Sequence, residues 1–149
     1  MKLIPVLAIV SLTVLLATCG KDKFETKPRI EIKDYSSESI APGEQLLVRV
    51  TYYDKEGDLS KGLFTYKRYR TNGTPIPNPN DNDKADSISV LIPEFPKKNT
   101  GELVLTLEYD FMDEDPGRND SMYFKLAVRD TEGNGSDTIT TKVLVARHP

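Results

Sequence analysis

The sequence contains no tryptophan, one cysteine and one histidine in 149 residues. Each scarcity excludes chemistry. The histidine is His148, beside the C-terminus. A Ser-His-Asp triad, a Cys-His dyad or a zinc site built on several imidazoles is therefore out of reach. A single cysteine allows neither an internal disulfide nor a thiolate metal cluster. Without tryptophan, a sugar-binding surface lacks its usual main platform. Excess positive charge is missing as well. The net charge is −3, so the chain carries no basic footprint for nucleic acid. No Gly-rich phosphate loop and no nucleophile with an adjacent base is visible, and the chain reads as a non-enzyme.

The composition that remains is globular, with 38% hydrophobic and 29% charged residues. The length suits one domain. After Met1-Lys2, the run Leu3 to Ala17 is apolar apart from Ser11 and Thr13. As a helix of about 15 residues it would reach about 22 Å, short of the roughly 30 Å hydrocarbon core. That length and the Lys2 flank predict a secretory signal, not a membrane span. The one cysteine, Cys19, falls directly after it.

Leu16-Ala17-Thr18-Cys19 resembles the lipobox of bacterial lipoproteins, with Thr18 in place of the usual Gly, Ala or Ser. The resemblance implies cleavage after residue 18, a lipid on the Cys19 thiol, and a membrane as partner. Two or three acyl chains anchor stably where one does not. The start Cys19-Gly20-Lys21-Asp22-Lys23 is similar to lipoproteins of Bacteroidota. That likeness implies the outer membrane or cell surface, with the periplasmic face as the other possibility. Residues 1–18 are thus the signal, 19–27 an acylated tether without periodicity, and 28–149 the domain.

No segment after Cys19 keeps a 3.6-residue apolar period; alternation prevails. Seven strands are predicted. They centre on Ile30 and Ile32, on Leu46 to Tyr53, on Phe64 to Lys67, on Ile88 to Ile92, on Leu103 to Tyr109, on Met122 to Arg129, and on Ile139 to Val145. In the last, Ile139, Thr141, Val143 and Val145 share one face. A period of two means one buried and one solvated face. Two such sheets packed together make an all-β, immunoglobulin-like Greek-key sandwich, with a small barrel as the alternative. The stretch Met122 to Val145 resembles the last hairpin of cadherin-like, polycystic-kidney-disease-type and fibronectin type III domains. Asp54 to Leu59 resembles a turn of Bacteroidota lipoproteins that carry such sandwiches. The fold does not name a function.

One acidic pentapeptide recurs. Asp54-Lys55-Glu56-Gly57-Asp58 follows the second strand and Asp130-Thr131-Glu132-Gly133-Asn134 follows the sixth. One reading is turn chemistry, with Asp capping the backbone and Gly in the left-handed region. The other is calcium, held by Asp54, Glu56, Asp58, Asp130, Glu132 and Asn134, because hard cations take six to eight oxygens. Greek-key topology would bring both turns to one end. A second acidic loop, from Asp110 to Asp120, would lie at the other.

Three further features stand open. Thr71 to Asp86 is a long irregular stretch with Pro75, Pro77 and Pro79, either a mobile connection or a partner-binding one. Tyr53 and Tyr123 on outward registers suit a sugar platform or ordinary strand composition. Asp86-Ser87-Ile88, Asp120-Ser121-Met122 and Asp137-Thr138-Ile139 resemble the O-glycosylation motif of Bacteroidota. The sequence thus predicts an anchored lipoprotein whose domain is a binding or structural accessory for an unknown protein or glycan. The alternative is a small carbohydrate-binding module of a polysaccharide-uptake system.

Overall fold

The computed structural model describes residues 26–74 and 87–149. The signal, Cys19 and most of the tether lie outside the described residues, as do residues 75–86 of the long irregular stretch. Among the described residues no helix is long and apolar enough to cross a membrane.

The chain folds as two packed β-sheets. The strands are β1 (Arg29–Tyr35), β2 (Ser39–Ile40), β3 (Gln45–Tyr53), β4 (Leu63–Arg70), β5 (Ser87–Leu91), β6 (Thr100–Glu108), β7 (Asp120–Arg129), β8 (Ile139–Thr140) and β9 (Leu144–Ala146). One helical turn, α1 (Tyr109–Met112), follows β6. The smaller sheet has the order β1-β3-β6, and the larger β2-β9-β7-β4-β5, with β8 added to β7. All pairings are antiparallel except β2 with β9, which is parallel.

The core follows from the alternation. Leu46, Val48, Val50 and Tyr52 of β3 point inward together with Leu105 and Leu107 of β6. Met122, Phe124, Leu126 and Val128 of β7 face them from the other sheet. Burial at about 25 cal/mol per Å2 of apolar surface makes this single core the main source of stability.

Among the described residues there are nine strands, not seven, and the two additions have separate causes. The first strand is followed by the two-residue β2, which crosses to the other sheet and joins β9. The seventh strand breaks at Thr141–Val143 into β8 and β9. There the Thr141 hydroxyl accepts a hydrogen bond from the Phe124 N–H at 2.9 Å and donates to the Lys142 carbonyl at 2.8 Å. The break shifts the register. Thr141 is buried, Val143 is 49% exposed, and Leu144 and Ala146 point inward. The shared face expected for Ile139, Thr141, Val143 and Val145 is therefore corrected. The strand predicted to end on Tyr109 also stops earlier, because Tyr109 opens α1 and its hydroxyl donates to the Arg147 carbonyl at 2.9 Å.

The sandwich stays open between the edge strands β5 and β6. A groove of about 300 Å3 lies there, lined by Phe64, Ile92, Phe95, Leu103 and Leu105.

Candidate functional site

The two acidic turns meet at one end of the sandwich. The Thr131 hydroxyl lies 3.3 Å from the Asp58 carbonyl and 3.4 Å from Asp58 Oδ2. Each turn is built by its first aspartate. Asp54 leaves β3 fully buried, and its Oδ2 accepts the N–H groups of Asp58 at 2.9 Å and Leu59 at 3.0 Å. Gly57 takes φ +68°, which the reversal requires, and the following Leu59 is buried in the core. Asn99 braces the turn by donating from Nδ2 to the Lys55 carbonyl at 2.6 Å.

The second turn uses its aspartate differently. Asp130 Oδ1 accepts the Asn134 N–H at 2.8 Å and Oδ2 accepts the Asn134 side-chain amide at 2.9 Å. Both oxygens are thus engaged within the turn. Glu132 is exposed. In the first turn, Asp54 Oδ1, Glu56 Oε2 and Asp58 Oδ1 are buried without a hydrogen-bond partner. Burial pushes the Asp54 carboxyl above its usual range, and the neighbouring Asp58 charge pushes the same way. Among the described residues, no three His, Cys, Asp or Glu side chains close into a group that could hold a metal ion. The turns touch, but their six candidate residues do not form a cage.

Three acids of the opposite stretch, Glu114, Asp115 and Asp120, are held by arginines. Arg68 is buried on the inward face of β4, with Nη2 2.8 Å from Glu114 Oε1 and Nη1 donating to the Phe111 carbonyl at 2.6 Å. Arg70 spans Glu114 at 2.8 Å and Asp120 at 2.9 Å. Asp120 Oδ2 in turn accepts the N–H groups of Glu114 and Asp115. Arg118 binds Asp115 through Nε at 2.8 Å and Nη2 at 2.6 Å and holds its carboxyl below the usual range. Asp110 and Asp113 flank this network. The loop is thus tied to β4 by ion pairs. Alternation does not mark Arg68 and Arg70, because charged residues on β4 break the apolar pattern.

The two outward tyrosines sit on different sheets. Tyr53, on the smaller, has the Arg29 guanidinium 4.6 Å from its ring centre. Tyr123, on the larger, stacks on Tyr69 with ring centres 5.1 Å apart and planes 6° from parallel. Of the three hydroxyls in the O-glycosylation-like motifs, Ser87 and Thr138 are exposed and Ser121 is half-buried. From the irregular stretch, Asn72 accepts the Ser121 N–H at 2.9 Å and donates to the Asn119 carbonyl at 3.1 Å.

No family model matches the chain, and no curated protein matches it. Among solved structures, it is similar to the β-glucosidase from Listeria innocua crystallised with glucose, at 13% identity and a TM-score of 0.37. The match covers 82% of this chain and 16% of the enzyme. The chain therefore spans about one-sixth of that protein's length. A likeness this distant carries no argument about activity.

Proposed function

We propose that the chain is a membrane-anchored, extracytoplasmic lipoprotein whose β-sandwich acts as a binding or structural accessory module. The observation that carries this reading is the position of the lone cysteine, Cys19, directly after the apolar run Leu3 to Ala17. Acylation there and a short polar tether put the domain at a membrane surface, with the outer membrane or cell surface as its place. Palmitate labelling of the protein in its host tests this. Label on the wild type and none on Cys19→Ser is expected. Label that persists on the variant overturns the anchor.

Two subsidiary readings have their own support. Glycan binding, as in a small carbohydrate-binding module, is favoured by the stacked Tyr69 and Tyr123 on the outer face of the larger sheet. A calcium ion at the first acidic turn is favoured by the three buried oxygens of Asp54, Glu56 and Asp58 that lack partners. Millimolar calcium should then raise the melting temperature by several degrees over chelator, and equal melting temperatures would sink the site.

A further inference from the structure

The outer faces of the two sheets differ in charge. On the smaller sheet, the outward charges include three pairs of opposite sign: Arg29 with Glu31 at 3.1 Å, Arg49 with Asp34 at 2.6 Å, and Lys33 with Glu102. On the larger sheet, Phe64 and Phe124 are buried, so the odd-numbered residues of β4, β5 and β7 face outward. None of these positions holds Asp or Glu, in a chain with 23 acids and 20 lysines and arginines. Lys67 and Lys125 are direct cross-strand partners. Like charges in that relation are destabilising. Among the described residues, neither lysine has a carboxylate partner. Instead both ammonium groups lie over the Tyr69 ring, at 5.1 and 5.0 Å from its centre, and Tyr69 is backed by Tyr123.

We propose that this face, with no acid at the outward positions of β4, β5 and β7, binds an acidic polysaccharide, with the Lys67 and Lys125 ammonium groups gripping a carboxylate or sulfate. The proposal rests on the glycan-binding reading above and names its ligand class. The number of charges selects the ligand. The outward residues of β4, β5 and β7 supply only Lys67, Lys125 and Arg129 as cations. An anionic membrane is read by clusters of about 4–8 basic residues. Duplex nucleic acid takes about 6–10 phosphate contacts. Three cations suit a chain whose charges are spaced more widely than the phosphates of a duplex. Hydroxyls flank them, as a sugar chain requires: Thr65 and Ser89 are hydrogen-bonded to each other at 2.8 Å, and Ser87 is the cross-strand neighbour of Lys67. Hydroxyls of this kind both donate to and accept from sugar hydroxyls.

The test uses the full chain in detergent, with polygalacturonate as the acidic probe, dextran as the neutral one, and phosphatidylglycerol against phosphatidylcholine vesicles. Binding to polygalacturonate over dextran is expected. Its affinity should fall about tenfold between about 50 and about 200 mM salt, as for release of roughly two counterions. Lys125→Glu should abolish binding yet raise the melting temperature, because it turns a like-charge pair into an ion pair. That rise shows that the loss is not unfolding. Equal binding to both glycans overturns the acidic ligand and leaves the glycan reading standing. Binding to neither overturns both and leaves the lipid anchor untouched. A preference for phosphatidylglycerol without polygalacturonate binding, or full binding by Lys125→Glu, also overturns the proposal.

Discussion

Asp54 holds two backbone amides with one oxygen while its other oxygen is buried and unpartnered. The first role stabilises the turn and the second opposes it. Asp54→Ala removes the acceptor for Asp58 and Leu59 and should cost about 1–3 kcal/mol in a denaturant titration. Asp54→Asn keeps an oxygen for both amides and carries no charge. In chelator it should melt higher than the wild type, and it should show no response to calcium. Asp54 and Asp115 also respond to acid with opposite signs. The folded state keeps the Asp54 proton to higher pH than the unfolded chain, whose carboxylate value is about 3.9. The Asp54 penalty is therefore absent below that value and grows as pH rises through the folded one. Asp115 is depressed, first by its hydrogen bond with Arg118. Its stabilisation is present above the unfolded value and is lost as pH falls through the folded one. The stability gap between wild type and Asp115→Asn should accordingly persist at neutral pH and close in strong acid, as measured by urea unfolding across that range.

Strands were legible where burial was purely apolar and opaque where a polar group did the same work. The alternation at Leu46 to Tyr52, Leu105 to Tyr109 and Met122 to Val128 placed inward residues correctly because each inward position is hydrophobic or aromatic. The final strand departs from alternation at Val143, because the Thr141 hydroxyl bonds the Phe124 N–H and the Lys142 carbonyl and the register changes behind it. Hydropathy does not register a hydroxyl that satisfies a backbone N–H. Thr141→Val, nearly isosteric, leaves the Phe124 N–H without that acceptor and should cost about 1–3 kcal/mol. Val143→Thr, on a residue that faces solvent, should stay within about 0.5 kcal/mol. Paired urea titrations of the two variants check the register, and the opposite order would restore the simple alternation. Alternation predicts β4 only as far as Lys67 for a related reason. Its continuation carries Arg68 and Arg70, whose partners are distant in sequence: Glu114 in the loop before β7 and Asp120 at the first residue of β7.

At the scale of the whole molecule, period-two patterning predicted the layered all-β architecture, and the fold bears it out. The repeated pentapeptide marked two turns that do touch, although spacing alone says nothing of which oxygens are left over. The unequal outer faces were invisible in the linear sequence. Composition averages the two sheets, and only cross-strand register shows that Lys67 meets Lys125 while Arg49 meets Asp34. The short parallel pairing of β2 with β9 has a mechanical consequence. Ser39 and Ile40 run beside Val145 and Ala146, and the bonds Val145 N–H to Glu38 at 2.9 Å and Arg147 N–H to Ile40 at 2.8 Å lie along that seam. Strands that run the same way, one near each terminus, are pulled lengthwise past each other when tension acts from end to end. Their hydrogen bonds then share the load at once instead of parting one by one.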